Sequence, residues 1–125
     1  MPIVDIELVC HSEAAFRTVS ASALADALGN ALGSAAGRTW VRLRYLDRQA
    51  YAENQVSFAA MNIDDLPVFV TVLAAHPPAM PALRDEVLKI TEVVATCAGR
   101  SAQRVHVQYA PPAAGRQAFG GTLVE

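Results

Sequence analysis

The chain predicts an α+β fold: two tandem β-α-β units whose four strands form a mainly parallel sheet with two helices on one face. Three observations carry that expectation. A proline-led run of β-branched and apolar residues occurs twice, as Pro2-Ile3-Val4-Asp5-Ile6-Glu7-Leu8-Val9 and as Pro67-Val68-Phe69-Val70-Thr71-Val72-Leu73. Each run is followed by a segment whose apolar residues recur at helical spacing. Gly37-Arg38-Thr39-Trp40-Val41-Arg42 is then echoed by Gly99-Arg100-Ser101-Ala102-Gln103-Arg104. The proline runs are offset by 65 positions and the glycine-arginine segments by 62, too long for a solenoid repeat and suited to one ancestral unit used twice.

Taken in order, residues 2–9 form the first strand, from their β-branched content. Leu24, Leu28 and Leu32 fall at i, i+4 and i+8, a helix face, with Thr18 or Ser20 as its cap and Gly33 or Gly37 as its stop. Residues 39–46 alternate, Val41, Leu43 and Tyr45 against Arg42 and Arg44, as a half-buried strand does. The segment 47–66 is long for a connection, and Tyr51, Phe58 and Met61 make it too apolar for a free linker. It is expected to pack over an oligomer surface, with a short strand around Val56 to Ala59 and a solvated acid pair at Asp64-Asp65. Residues 67–75 are the third strand. Leu83, Val87, Ile90, Val94 and Cys97 stripe the second helix, which stops at Gly99, and residues 103–109 are the fourth strand. The pseudo-repeat halves are 2–62 and 63–125 of a single domain spanning 1–125.

A strand–helix–strand unit of this length favours parallel pairing through a right-handed crossover. Two helices cover one sheet face only. Val68, Phe69, Val70, Val72 and Leu73 are nearly continuous, as in a strand buried on both faces. The uncovered face is therefore expected to pack against other copies in a closed cyclic oligomer.

Composition narrows the function classes. At 125 residues, one domain is the natural count, and 53% hydrophobic with 18% charged residues excludes a disordered chain. A net charge of −2 offers no footprint for nucleic acid. The apolar runs are short of a bilayer span and no leader pattern opens the chain, so no membrane partner is expected. Two cysteines, Cys10 and Cys97, are too few for a disulfide scaffold and read as small buried hydrophobes in a reduced, cytoplasmic compartment. Cys10, His11, His76 and His106 lack the paired spacing of a metal site, and no phosphate-cradling loop or nucleophile elbow is present, so neither metal nor cofactor is expected.

The Met1-Pro2-Ile3 opening, the duplicated β-α-β plan, the Val41-Arg42-Leu43 strand and the closing Gly115-Arg116-Gln117-Ala118-Phe119-Gly120-Gly121 together resemble the tautomerase superfamily, over almost the whole chain. Its members include 4-oxalocrotonate tautomerase, 5-carboxymethyl-2-hydroxymuconate isomerase and macrophage migration inhibitory factor. The resemblance implies a homotrimer and an isomerase that moves a proton between carbon and oxygen of a small 2-keto or 2-hydroxy-dienoate acid. It implies Pro2 as general base once Met1 is removed, with no cofactor. Arg42 and Arg104, read as repeat-equivalent, are the first candidates to hold the substrate carboxylate. Arg44 shares a strand face with Arg42, Arg116 and Phe119 come from the closing hairpin, and Phe119 would supply an apolar wall. Arg38 and Arg100, after their glycines, are read as partners of helix carboxyl ends.

The chemistry has a physical basis. An amino-terminal proline carries a secondary amine, and a free α-amine titrates near ~8. A dry pocket and nearby arginines disfavour its charged form and lower that value. A base neutral near the operating pH is what proton abstraction needs, and the ring fixes the direction of the lone pair. Two alternatives stand beside this reading. A decarboxylase, hydratase or dehalogenase would use protonated Pro2 as an acid, and a trimer that kept Met1 would be a binding protein.

Overall fold

The computed structural model describes residues 1–57 and 61–125. Four strands make the main sheet: β1 (Ile3–Cys10), β2 (Trp40–Asp47), β3 (Val68–Leu73) and β4 (Val105–Tyr109). Their spatial order is β2-β1-β3-β4. β1 and β2 are parallel, as are β3 and β4, while the two central strands run antiparallel. The sheet is thus mixed: two parallel β-α-β pairs joined edge to edge.

Three helices lie between the strands. α1 (Glu13–Arg17) is one short turn that the sequence pattern did not signal; Ser12 Oγ accepts from the Ala15 N–H at 3.1 Å to start it. α2 (Ala21–Leu32) starts at Ser20, whose Oγ accepts from the Ala23 N–H, and stops at Gly33, held at φ 66°. α3 (Ala82–Ala98) stops at Gly99, and the Arg100 N–H closes its last turn on the Ala95 carbonyl at 2.9 Å. Both expected glycine stops are therefore left-handed helix ends, a conformation that costs a β-carbon dearly.

The core lies between the helices and one sheet face. Val4, Ile6 and Leu8 of β1 and Val68, Val70 and Val72 of β3 pack against Leu24 and Leu28 of α2 and Ile90 and Val94 of α3. Each such side chain, fully removed from water, contributes roughly 1.5–3 kcal/mol.

The opposite face is not the continuous apolar surface expected from β3. Val68, Val70 and Val72 are buried, but Phe69, Thr71 and Leu73 alternate with them and are only half-buried. Between the strands this face carries a hollow of about 300 Å³ bordered by Asp5, Glu7, Arg44, Phe69, Thr71 and Gln108. Period-two alternation, interrupted by Thr71, gives β3 one core face and one mixed face.

Register corrects the repeat. Ile3 pairs with Trp40 and Val68 with Val105, so the halves match at one offset, 65, through both strand pairs. Arg42 then corresponds to Val107 and Arg104 to Thr39, and the two arginines are not repeat-equivalent. The echo at offset 62 misleads because Gly33 ends α2 and Gly37 lies in the loop beyond it, whereas Gly99 itself ends α3. A longer second helix and a shorter exit loop shift the motif.

The 47–66 connection packs on the sheet through Tyr51, Met61 and Leu66, which meet Val9, Leu46 and Phe69. Its described residues hold 3-10 turns at Arg48–Ala50 and Ile63–Asp65 and a bridge between Glu53 and Val56. No strand starts at Val56 or Ser57, and Phe58 and Ala59, the rest of the expected strand with its apolar Phe58, lie outside the described residues. At Asp64 and Asp65 it is the backbone that works: their carbonyls accept from the Ser101 N–H and from Arg104 Nε, both at 2.9 Å.

The chain closes in a hairpin, β5 (Ala118–Phe119) and β6 (Thr122–Leu123), turned through Gly120 and Gly121 at φ 55° and 89°. Two consecutive positive φ angles are the requirement of a tight hairpin turn that glycine meets without strain. The Ala113 and Ala114 N–H groups donate to the Ala74 and Ala75 carbonyls, anchoring the hairpin beside the end of β3. Among the described residues, no helix is long and apolar enough to cross a membrane.

Candidate active site

Pro2 is buried at the head of β1. Its carbonyl accepts from the Trp40 N–H at 3.0 Å, opening the β1–β2 ladder. The next residue, Ile3, faces Trp40 on one side and Leu73 on the other. Pro2 thus stands where β2 begins and β3 ends, under the carboxyl end of α2.

Two hollows meet there. The first, about 120 Å³, has Pro2, Arg38, Trp40 and Phe119 in its wall. Gly37 turns the chain at φ 74° after α2, which brings Arg38 to the rim. Trp40 Nε1 donates to the Gly37 carbonyl at 3.0 Å, fixing the indole. Phe119 meets that indole edge-on, with ring centroids 4.8 Å apart and planes at 75°. The second hollow, about 310 Å³, lies between the strand ends and the ends of α2 and α3, and Pro2, Ser34, His76 and Glu86 line it. The Tyr109 hydroxyl donates to Glu86 Oε2.

Of the expected site residues, Phe119 shares a hollow with Pro2. Arg42 is exposed and forms a two-pronged pair with Asp5, Nε to Oδ1 at 2.5 Å and Nη2 to Oδ2 at 2.7 Å. That hydrogen bond, more than any other influence, holds the Asp5 carboxyl below its ordinary range. Arg44 borders the hollow on the uncovered sheet face. Arg116 is exposed in the closing segment. Arg104 precedes β4, and Val105 lies level with Val68 and Leu8. Five residues of β1 separate Leu8 from Ile3, about 17 Å at ~3.3 Å per residue. Arg104 is at the opposite end of the sheet from Pro2, where its Nη2 donates to Glu53 Oε2 at 2.7 Å. Tyr51 OH also donates to that oxygen, at 2.6 Å. The tyrosine first and Arg104 second hold the Glu53 carboxyl below its ordinary range.

The arginine beside Pro2 is Arg38, which sequence reasoning had given to a helix end. The signal available was its place just beyond a positive-φ glycine and two residues before the strand that pairs with β1. Arg100 also departs from that reading. Its backbone closes α3, but its side chain is buried, with Nη1 donating to the Leu66 carbonyl at 2.8 Å and Nη2 to Cys10 Sγ at 3.1 Å. Burial pushes the Cys10 thiol up, with Arg100 opposing. Cys97 is half-buried. Of the strand-end histidines, His76 lies by Pro2, where its Nε2 is 3.1 Å from the Glu125 carbonyl, while His11 is exposed at the far end of β1. His106 stacks on Phe69.

Taken chemically, the first hollow brings an arginine and two aromatic residues to one proline. A guanidinium matches a carboxylate through paired hydrogen bonds.

Searches of family models and of curated proteins return no match. Solved structures do match over nearly the whole chain. A fused 4-OT wild-type asymmetric trimer is similar at TM-score 0.72 and 13% identity, covering 97% of this chain and 94% of that one. Macrophage migration inhibitory factor from Trichinella spiralis is similar at TM-score 0.66 and 17% identity, covering 97% and 98%. FG41 malonate semialdehyde decarboxylase inhibited by 3-bromopropiolate is similar at TM-score 0.65 and 19% identity, covering 95% and 91%. The chain therefore has the tautomerase/MIF-like fold that the sequence resemblance implies.

Proposed function

We propose that this protein is a cofactor-independent tautomerase acting on a small 2-keto or 2-hydroxy-dienoate acid, with Pro2 as general base after Met1 is removed. The observation that carries this reading is the hollow in which Pro2, Arg38, Trp40 and Phe119 meet. In the processed chain Pro2 nitrogen takes a proton from one position of the substrate and returns it at another, so the net change is a shifted double bond. Arg38 holds the carboxylate and offsets the charge that develops on the dienolate oxygen. Phe119 and Trp40 supply an apolar wall. Pro67, the counterpart of Pro2 in the second half, is internal and has no basic nitrogen, which leaves one such site per chain.

The assembly that goes with this reading is a homotrimer, supported by the trimers among the similar structures. Arg42, Arg44 and Arg104, which lie on the uncovered face or at the far end of the sheet, would act on Pro2 only from a neighbouring protomer.

The test begins with the intact mass of untagged protein, followed by enol-to-keto assays with phenylenolpyruvate and 2-hydroxymuconate. Loss of Met1 together with turnover is expected. Loss of Met1 without turnover would favour the acid-type chemistries, and a retained Met1 would overturn the catalytic reading. A base works in its neutral form, so activity rises with pH through its pKa; an acid shows the reverse.

A further inference from the structure

The second hollow at Pro2 has no part in the scheme above. Glu86 lines it together with Pro2, whereas Arg38 lines the first. Glu86 comes from α3, and its carboxylate is held by the hydroxyl of Tyr109 on β4. Burial foremost, then the hydrogen bond to Glu86, pushes the Tyr109 phenol up, so it stays a donor throughout the working range. The charged and titratable residues in the walls of the two hollows are Arg38 from the loop after α2, His76 beyond β3, whose Nε2 is 3.1 Å from the Glu125 oxygen, and Glu86 from α3 with its partner Tyr109.

We propose that Glu86, oriented by Tyr109, is a positioning residue that sets the basicity of the Pro2 nitrogen against Arg38. This rests on the reading of Pro2 as an amine. Arg38 and a dry site alone pull the amine down and make it a weak base. A carboxylate in the same hollow stabilises the ammonium formed when Pro2 takes the substrate proton. It brings the pKa back toward the operating pH, where proton transfer in both directions is efficient. No proton is consumed: the nitrogen gains it from the substrate and gives it back.

The experiment needs no substrate. Chains labelled with 15N-proline are treated with methionine aminopeptidase, checked by intact mass, and titrated by NMR; of all the prolines, only an amino-terminal nitrogen titrates. Glu86→Gln, which can still accept from Tyr109, is expected to lower the Pro2 pKa by about 0.5–1 unit. Tyr109→Phe keeps the carboxylate and removes the donor that disperses its charge, so it is expected to raise the pKa. A merely structural role for the pair would move neither. Titration curves of Glu86→Gln and the parent that coincide would overturn the proposal, and so would a Tyr109→Phe shift downward. Turnover by the parent with unmoved titration sinks this inference and leaves the tautomerase reading standing. Shifted titration without turnover does the opposite.

Discussion

Phe119 and Trp40 meet edge to face at 4.8 Å beside Pro2, and this contact ties the closing hairpin to the start of β2. The aromatic pair forms one wall of the hollow. Phe119→Ala is expected to lose about 0.5–1.5 kcal/mol from the ring pair, read as a small drop in thermal midpoint. It is also expected to raise KM, because water enters the site. An unchanged KM would remove Phe119 from the binding wall.

Pro2→Ala in processed protein replaces a secondary amine on a rigid ring with a freely rotating primary amine. Activity is expected to fall by about 10²–10⁴, the range of a lost general base, with the far-UV spectrum unchanged. Parent-like turnover would exclude Pro2 as the base.

Arg38→Ala separates the two arginine assignments. A charge-assisted hydrogen bond to a carboxylate is worth about 1.5–3 kcal/mol, so KM is expected to rise roughly 10- to 100-fold. The same substitution at Arg42, which spends its guanidinium on Asp5, is expected to change KM less. The reverse order would mean that the carboxylate is held from the sheet face of a neighbouring protomer.

Arg100 is a buried cation whose partners are the Leu66 and Pro67 carbonyls and the Cys10 sulfur. Arg100→Ala leaves a cavity and unpaired acceptors between α3, β1 and the 66–67 turn. A loss of about 2–4 kcal/mol is expected in urea unfolding. A loss below about 1 kcal/mol would mean that water replaces the guanidinium without cost.

Glu53 makes stability pH-dependent at the acid end. Its folded pKa lies below the ordinary 4.5 because Tyr51 and Arg104 donate to the charged carboxylate. A depressed carboxylate contributes stability that is complete above the unfolded pKa and is lost as pH falls through the folded one. Unfolding midpoints are therefore expected to be level from neutral pH to about 5 and to drop below 4.5, with Glu53→Gln flattening that drop. An equal acid slope in both proteins would refute it.

Much of this was legible along the chain. Leu24, Leu28 and Leu32, and Ile90 and Val94, announce their helices because a 3.6-residue period is a local property. Gly33 and Gly99 mark the ends because the left-handed turn excludes other side chains at little warning distance. The alternation of Val41, Leu43 and Tyr45 against Arg42 and Arg44 is likewise readable from neighbours alone. The short α1 escaped because five residues carry too little periodicity.

The sequence by itself determined the order of strands and helices, the helix stops and the proline at the head of β1, since each depends on residues within a turn or two. Only the tertiary structure decided which strands touch and therefore which arginine meets Pro2. Antiparallel pairing of β1 with β3, and parallel pairing of β3 with β4, put Val105 level with Leu8, while parallel pairing of β1 with β2 puts Trp40 level with Ile3. Arg104 is thereby carried to the far end of the sheet, and Arg38 and Glu86 are brought to the two hollows at the proline. Register is set by the pairing of whole strands and the burial of one face. No spacing within a single segment encodes it.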